Sequence, residues 1–180
     1  MLSIVIPKLR LYDENAEEFV YLPEVALKLE HSLLSVRRWE SKWQKSYINT
    51  AGTGMTLEEN MDYVRCMCLD QNVDVKLLRR LTRKNYEDIQ TYINLPMTAT
   101  TFRETKQRGS QKTITAEIIY YMMLQYGIPF ECEKWHLNQL FTLIRVCSVR
   151  NSTKKQSDAE TAAMYRALSE ARRKKTGSHG

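Results

Sequence analysis

No apolar run in this 180-residue chain reaches the roughly 18 residues that a membrane-spanning helix needs. The opening residues, MLSIVIPKLR, have neither the basic start nor the small-residue cleavage site of a signal peptide, so a cytosolic setting is expected. There is no Gly-rich phosphate loop with its Lys, no G-x-S-x-G elbow, no HExxH and no paired CxxC. There is also no internal repeat and no low-complexity tract. With no set of residues carrying a reaction, neither enzyme activity nor a cofactor nor a metal is expected.

Hydrophobic residues make up 43% of the chain and charged residues 27%, which fits one soluble globular domain with a real core. The four cysteines, Cys66, Cys68, Cys132 and Cys147, sit inside apolar helical patterns, where a reduced thiol behaves as a small hydrophobe. Cys66 and Cys68 are two apart, so on a helix they point roughly 200° apart and cannot share one metal. Cys132 and His136 are four apart, which on a helix puts two ligands on one face. Two are too few, and His31 or Cys66 would have to arrive from elsewhere. The simpler reading is a core thiol and a His bonded at the edge. Asp62, Glu117 and Glu131 read as ordinary helix carboxylates.

The net charge of +6 is unevenly placed. Residues 150–180 hold eight Lys and Arg against three Asp and Glu, a balance of +5, and the rest of the chain is left at +1. Such a tail either meets nucleic acid or an acidic protein surface, or is a solvated helix.

Taken in order, Ile4, Ile6, Leu9 and Leu11 alternate around Pro7, and Phe19 to Leu22 leads to Pro23. This predicts a β-hairpin with a Pro on each arm, joined by a third strand near 25–29 in one small sheet. Ser32 is placed to cap a helix over about 33–46 carrying Trp39 and Trp43, which stack along one face. With Arg37, Arg38, Lys42 and Lys45 nearby, the pair reads as a nucleic-acid patch, a protein interface or core. Thr56 and Glu59 form a capping box for a helix over about 57–71 with Leu57, Met61, Val64 and Cys68 as its stripe. Asp74 caps a short helix, and Thr82 caps another over about 83–94 that ends at Pro96, with Tyr86, Ile89 and Ile93 inside. Residues 97–113 predict strand, turn, strand, with the second strand at about 111–115 and Arg103, Lys106, Arg108 and Lys112 in or beside the basic turn.

The stretch from Ile114 to Cys147 has two apolar segments broken at Gly127-Ile128-Pro129. It predicts a helical hairpin, the first arm buried and the second striped by Leu137, Leu140, Phe141, Ile144 and Cys147. Ser157 with Glu160 predicts a last helix over about 158–175, basic at Arg172, Arg173, Lys174 and Lys175. The fold expected is mainly α with a small N-terminal antiparallel β-sheet, a helical bundle built on the C-terminal helical hairpin. One globular domain covers 1–150, with the sheet at about 3–30 and the helical part at about 32–148. A basic C-terminal helix or tail follows over 151–180.

Several stretches resemble a family of small proteins of long-tailed, siphovirus-type bacteriophages. They are HSLLSVRRWESKWQKSYI (31–48), MDYVRCMCLDQNVD (61–74), YINLPMTATTF (92–102), AEIIYYMMLQYGIPFECEKWHLNQLFTLIRVC (116–147) and RALSEARRKK (166–175). The resemblance runs over most of the chain and rests on words such as WESKW, PMTATTF and IPFECEKWHLN. It implies a tail assembly chaperone, which holds the helical tape measure protein in solution, recruits major tail protein subunits and leaves before the virion is finished. Self-association, and a longer form made by ribosomal frameshifting near Lys174-Lys175, belong to the same expectation. The setting implied is the host cytoplasm.

A groove for a helix is apolar with aromatic anchors. The candidate anchors are Trp39, Trp43, Tyr47 and Trp135, with Met122 and Met123 as adaptable contacts unless they are core. Arg103 and Arg108 in the basic turn, and Arg172, Arg173, Lys174 and Lys175 in the tail, would assist through charge. The alternative from another class is a nucleic-acid-associated phage head completion or DNA-packaging factor acting through the basic tail.

Overall fold

Apolar alternation makes the first thirty residues a long antiparallel ribbon. The computed structural model describes residues 1–14, 17–51, 54–70, 73–102, 113–151 and 166. Strands β1 (Leu2–Ile6) and β4 (Val25–Leu29) pair at the base, and β2 (Leu9–Asp13) and β3 (Glu18–Leu22) pair beyond them. The expected three-stranded sheet is therefore replaced by two two-stranded ladders in a single register. Continuing that register across the gap sets Pro7 opposite Glu24 and Lys8 opposite Pro23. A Pro has no N–H to give a ladder, so each arm breaks at the same level. Arg80 closes the break: one of its guanidinium nitrogens donates to the carbonyls of both Pro7 and Pro23 at 2.7 Å.

Arg80→Ala removes two charge-assisted bonds and is expected to cost about 2 kcal/mol. Hydrogen exchange at the β2–β3 amides should quicken more than exchange at β1–β4, which has a buried face. Equal protection in both ladders would show that Arg80 does not hold the break.

Ile4, Ile6, Leu27 and Leu29 form that buried face. The helices α1 (Leu33–Trp43), α2 (Tyr47–Thr50), α3 (Leu57–Met67), α4 (Val75–Leu78), α5 (Arg83–Asn94) and α6 (Ala116–Tyr126) follow. A 3-10 turn covers Phe130–Lys134, and residues 137–151 are helical. The architecture is mixed α+β. The ends of these helices obey local chemistry. Ser32 caps α1, Thr56 with Glu59 and Thr82 with Asn85 form capping boxes, and Gly127 ends α6 at φ +64°.

Helix α1 packs against α2, α3, α6 and the 3-10 turn, and α5 packs against β1. The linker between β4 and α1 ties distant segments together. Glu30 N–H donates to Met67 O, and Leu137 N–H donates to His31 O at 2.7 Å. The chain divides into two compact units, Met1–Thr142 and Leu143–Gly180. In the second unit 143–151 is helical, with Ile144 buried and Val149 exposed.

Several expectations are corrected. Helix α1 stops at Trp43 because Gln44 turns to φ +52°, so Tyr47 starts a separate short helix. Residues 98–102 and 113–115 form no strand, and the basic turn between them lies outside the described residues. The predicted helix over 158–175 also lies outside the described residues, apart from position 166, which is helical. Helix α6 is not buried all round: Ala116, Ile119 and Met123 face inward, while Ile118, Tyr121 and Leu124 are exposed. Cys132 and His136 do not share a helix face, because 130–134 is a 3-10 turn and His136 pairs as a β-bridge with Ser32.

Candidate partner-binding groove

Two tryptophans hold α1 against α3. The Trp39 indole is 0% exposed, and its N–H donates to Glu59 O at 2.9 Å. It stacks on Trp43 with centroids 6.2 Å apart and meets Tyr47 edge-on at 5.5 Å. The half-buried Trp43 donates its indole N–H to Asp62 Oδ2 at 2.9 Å. Lys42 and Lys45 reach the same helix, at Asp62 (2.8 Å) and Glu59 (2.6 Å). These donors decide which side of α3 turns inward. Glu59, Asp62, Tyr63, Cys66 and Met67 are buried, Leu57 is 73% exposed and Met61 is only partly covered. The stripe expected from Leu57 and Met61 is thus rotated outward. Buried polar groups need partners, and α1 supplies them only to the carboxylate side.

Both carboxylates stay ionised. The Lys45 ammonium and the Thr56 N–H hold Glu59 below the usual carboxylate range. Burial pushes Asp62 up, but bonds from Lys42, Trp43 and Arg65 outweigh it and the net shift is downward.

Turning Leu57 and Met61 outward opens a groove of about 730 Å³ between α3, α4 and the start of α5. Its apolar lining is Leu57, Met61, Val75, Leu78, Leu81 and Tyr86, and Lys42, Arg65, Arg79, Glu58 and Asp62 add charge to the lining. Leu57 and Tyr86 also line a second hollow of about 310 Å³ beside α5. Six of the groove's eleven lining residues are apolar or aromatic, and Asp62 already has a full set of donors. It offers burial and shape, with no nucleophile paired to a base.

The predicted anchors are distributed differently. Trp39 and Tyr47 are buried and have no surface to offer a partner. Trp43 is half-buried, while Trp135, at 42% exposed, and Phe130 stand on the outside near α6. Met123 is buried and Met122 is partly exposed. Arg103, Arg108, Arg172, Arg173, Lys174 and Lys175 lie outside the described residues. The groove residues were hard to see in the sequence, because an exposed Leu57–Met61 pair has the spacing of a core stripe. The surplus of Lys and Trp donors on α1 was the available clue.

The remaining reactive groups are embedded. Burial pushes the Cys66 and Cys68 thiols up to about 11, so they stay protonated and unreactive near neutral pH. Among the described residues no group of three or more His, Cys, Asp and Glu side chains is placed to hold a metal. His31 and His136 are both buried, with rings 5.1 Å apart. His31 Nδ1 shares a 2.5 Å hydrogen bond with Tyr63 OH. His136 Nδ1 accepts from Asn138 N–H at 3.3 Å, and its Nε2–H donates to Tyr92 O at 3.1 Å. The pair joins the ribbon, α3, α5 and the start of the helix at 137. No helix among the described residues is long and apolar enough to cross a membrane. No family model matches the chain, and no curated protein or solved structure matches it either.

Proposed function

We propose that this chain is a non-catalytic tail assembly chaperone of a long-tailed bacteriophage. In this reading it grips helical segments of the tape measure protein and recruits major tail protein subunits around them. It works in the host cytoplasm and is absent from the finished virion. The stretches WESKW, PMTATTF and IPFECEKWHLN support the phage assignment by resemblance. The observation that carries the gripping role is the apolar groove between α3, α4 and α5. Part of the same proposal is a helical bundle built on the C-terminal hairpin over 114–147.

A helix laid in such a groove would use apolar residues at three- and four-residue steps against Leu57, Met61 and Val75. Leu57→Asp tests this directly, because the side chain is 73% exposed and its loss should leave the fold intact. Calorimetric titration with a tape measure helix should show at least about a 100-fold weaker complex, as expected when a carboxylate is pressed into apolar contact. Unchanged affinity in a folded Leu57→Asp protein would remove the groove from the account. Salt separates this reading from DNA packaging through the basic tail. Apolar docking should barely respond to salt, whereas phosphate contacts weaken steeply.

A further inference from the structure

The charged side chains that line the groove fall into two groups. Lys42, Asp62 and Arg65 are committed to one another. Asp62 Oδ1 accepts from Lys42 Nζ at 2.8 Å and from Arg65 Nη2 at 2.9 Å, and Oδ2 takes the Trp43 indole N–H. Glu58 and Arg79 are not committed. Both are exposed, and among the described residues neither side chain has a hydrogen-bond or ion-pair partner. Other exposed cations nearby do find carboxylates, as Lys45 finds Glu59 and Arg83 finds Glu87.

The two single charges belong to different walls. Glu58 is in the first turn of α3, next to Leu57, and Arg79 is the C-cap of α4, next to Leu78. Each wall thus presents an apolar side chain beside a charge, and the two charges have opposite sign. An amphipathic helix has a polar border on each side of its apolar stripe. Laid in the groove, it turns one border to α3 and the other to α4. Reversing the helix end for end swaps the borders. Rim charges of this kind decide partner and register more than affinity.

The geometry points to an occupant of definite charge pattern. It is a helix whose apolar stripe is bordered by Asp or Glu on the side that meets Arg79 and by Lys or Arg on the side that meets Glu58, seated in one direction only. Over the whole lining three cations face two carboxylates, so the acidic border is the heavier one. This inference rests on the groove gripping tape measure helices, and adds which segments it takes and which way round they lie.

Calorimetric titration of the full chain tests it, with a tape measure helix and a copy whose acidic border is replaced by Gln. Arg79→Glu should weaken the unaltered helix about 5-fold, as when an exposed ion pair gives way to a like-charge contact. The Gln copy should not distinguish Arg79→Glu from the unmodified protein, and a copy with Lys in that border should bind Arg79→Glu more tightly than the unmodified protein. Glu58→Lys should cost a similar factor that depends on the basic border alone. Circular dichroism and melting of Arg79→Glu should be unaltered. Effects of this size leave apolar burial as the main source of affinity, so binding stays nearly independent of salt. Equal or tighter binding of the unaltered helix by Arg79→Glu overturns the charge pattern, as does the same loss with the Gln copy. If Leu57→Asp weakens binding and Arg79→Glu does not, the groove stands and the pattern falls. If Leu57→Asp changes nothing, the groove itself falls and the pattern with it.

Discussion

Trp39→Ala is expected to remove about 4–5 kcal/mol of stability, close to the whole stability of a small domain. The indole is fully buried and bridges α1, α2 and α3. Its deletion leaves a cavity and strands the Glu59 carbonyl, which then lacks its donor. Trp43→Ala should cost far less, about 1–2 kcal/mol. That side chain is half-buried, and Asp62 keeps Lys42 and Arg65 after the indole is gone. Trp39→Phe should recover much of the loss by refilling the cavity. Urea unfolding of the three variants, with the slope held constant, measures all of this. Comparable losses at positions 39 and 43 would mean that the two tryptophans share one environment, contrary to the packing described.

Mild acid should destabilise the protein through its two buried histidines. Burial, with His136 adding, lowers His31 to about 3, and burial also lowers His136. In the unfolded chain both return to about 6.5, so below that pH the unfolded state binds more protons than the folded one. Stability is therefore full above pH 6.5 and falls as pH drops through the window from 6.5 toward 3. His31 alone should account for about 2 kcal/mol between pH 7 and pH 5, at roughly 1.4 kcal/mol per pH unit. His136 adds in the same direction, tempered by Glu30, whose charge favours its protonated form. Glu40 acts in the opposite sense near its own titration. Burial raises it despite N–H donors at Tyr47 and Ala116, so the folded protein takes up that proton more readily. Glu59 and Asp62, both lowered, contribute stability that is lost only below the ordinary carboxylate range. His31→Gln should flatten most of the slope between pH 7 and 5 in chemical denaturation series. A slope equal to that of the unmodified protein would locate the titrating group elsewhere.

Features set by one or two neighbouring residues were legible in the sequence. The caps at Ser32, Thr56 and Thr82, the left-handed Gly127 and the stacked Trp39–Trp43 pair all follow from local chemistry. Features decided by a distant partner were not. The side of α3 that turns inward depends on where the Trp and Lys donors of α1 arrive. The 3-10 turn at Phe130–Lys134 is pinned by a Tyr120–Glu133 hydrogen bond that no periodicity reports. A Pro on each arm was visible, but the break that splits the ribbon into two ladders was not, and its closure by Arg80 spans more than fifty residues of chain. The groove is a consequence of these long-range choices, so its apolar residues looked like core. Trp39 and Tyr47 looked like anchors because a Trp or Tyr serves cores and interfaces alike.

The most direct test of the central claim is a titration of helical tape measure fragments from the same phage into the full chain. Backbone amide NMR shifts would be followed at about 0.05 M and about 0.5 M salt. The account predicts saturable shifts concentrated on α3, α4 and the start of α5, lost in Leu57→Asp and nearly the same at both salt levels. No shift in the groove, or binding that vanishes at high salt and maps to other residues, would contradict it.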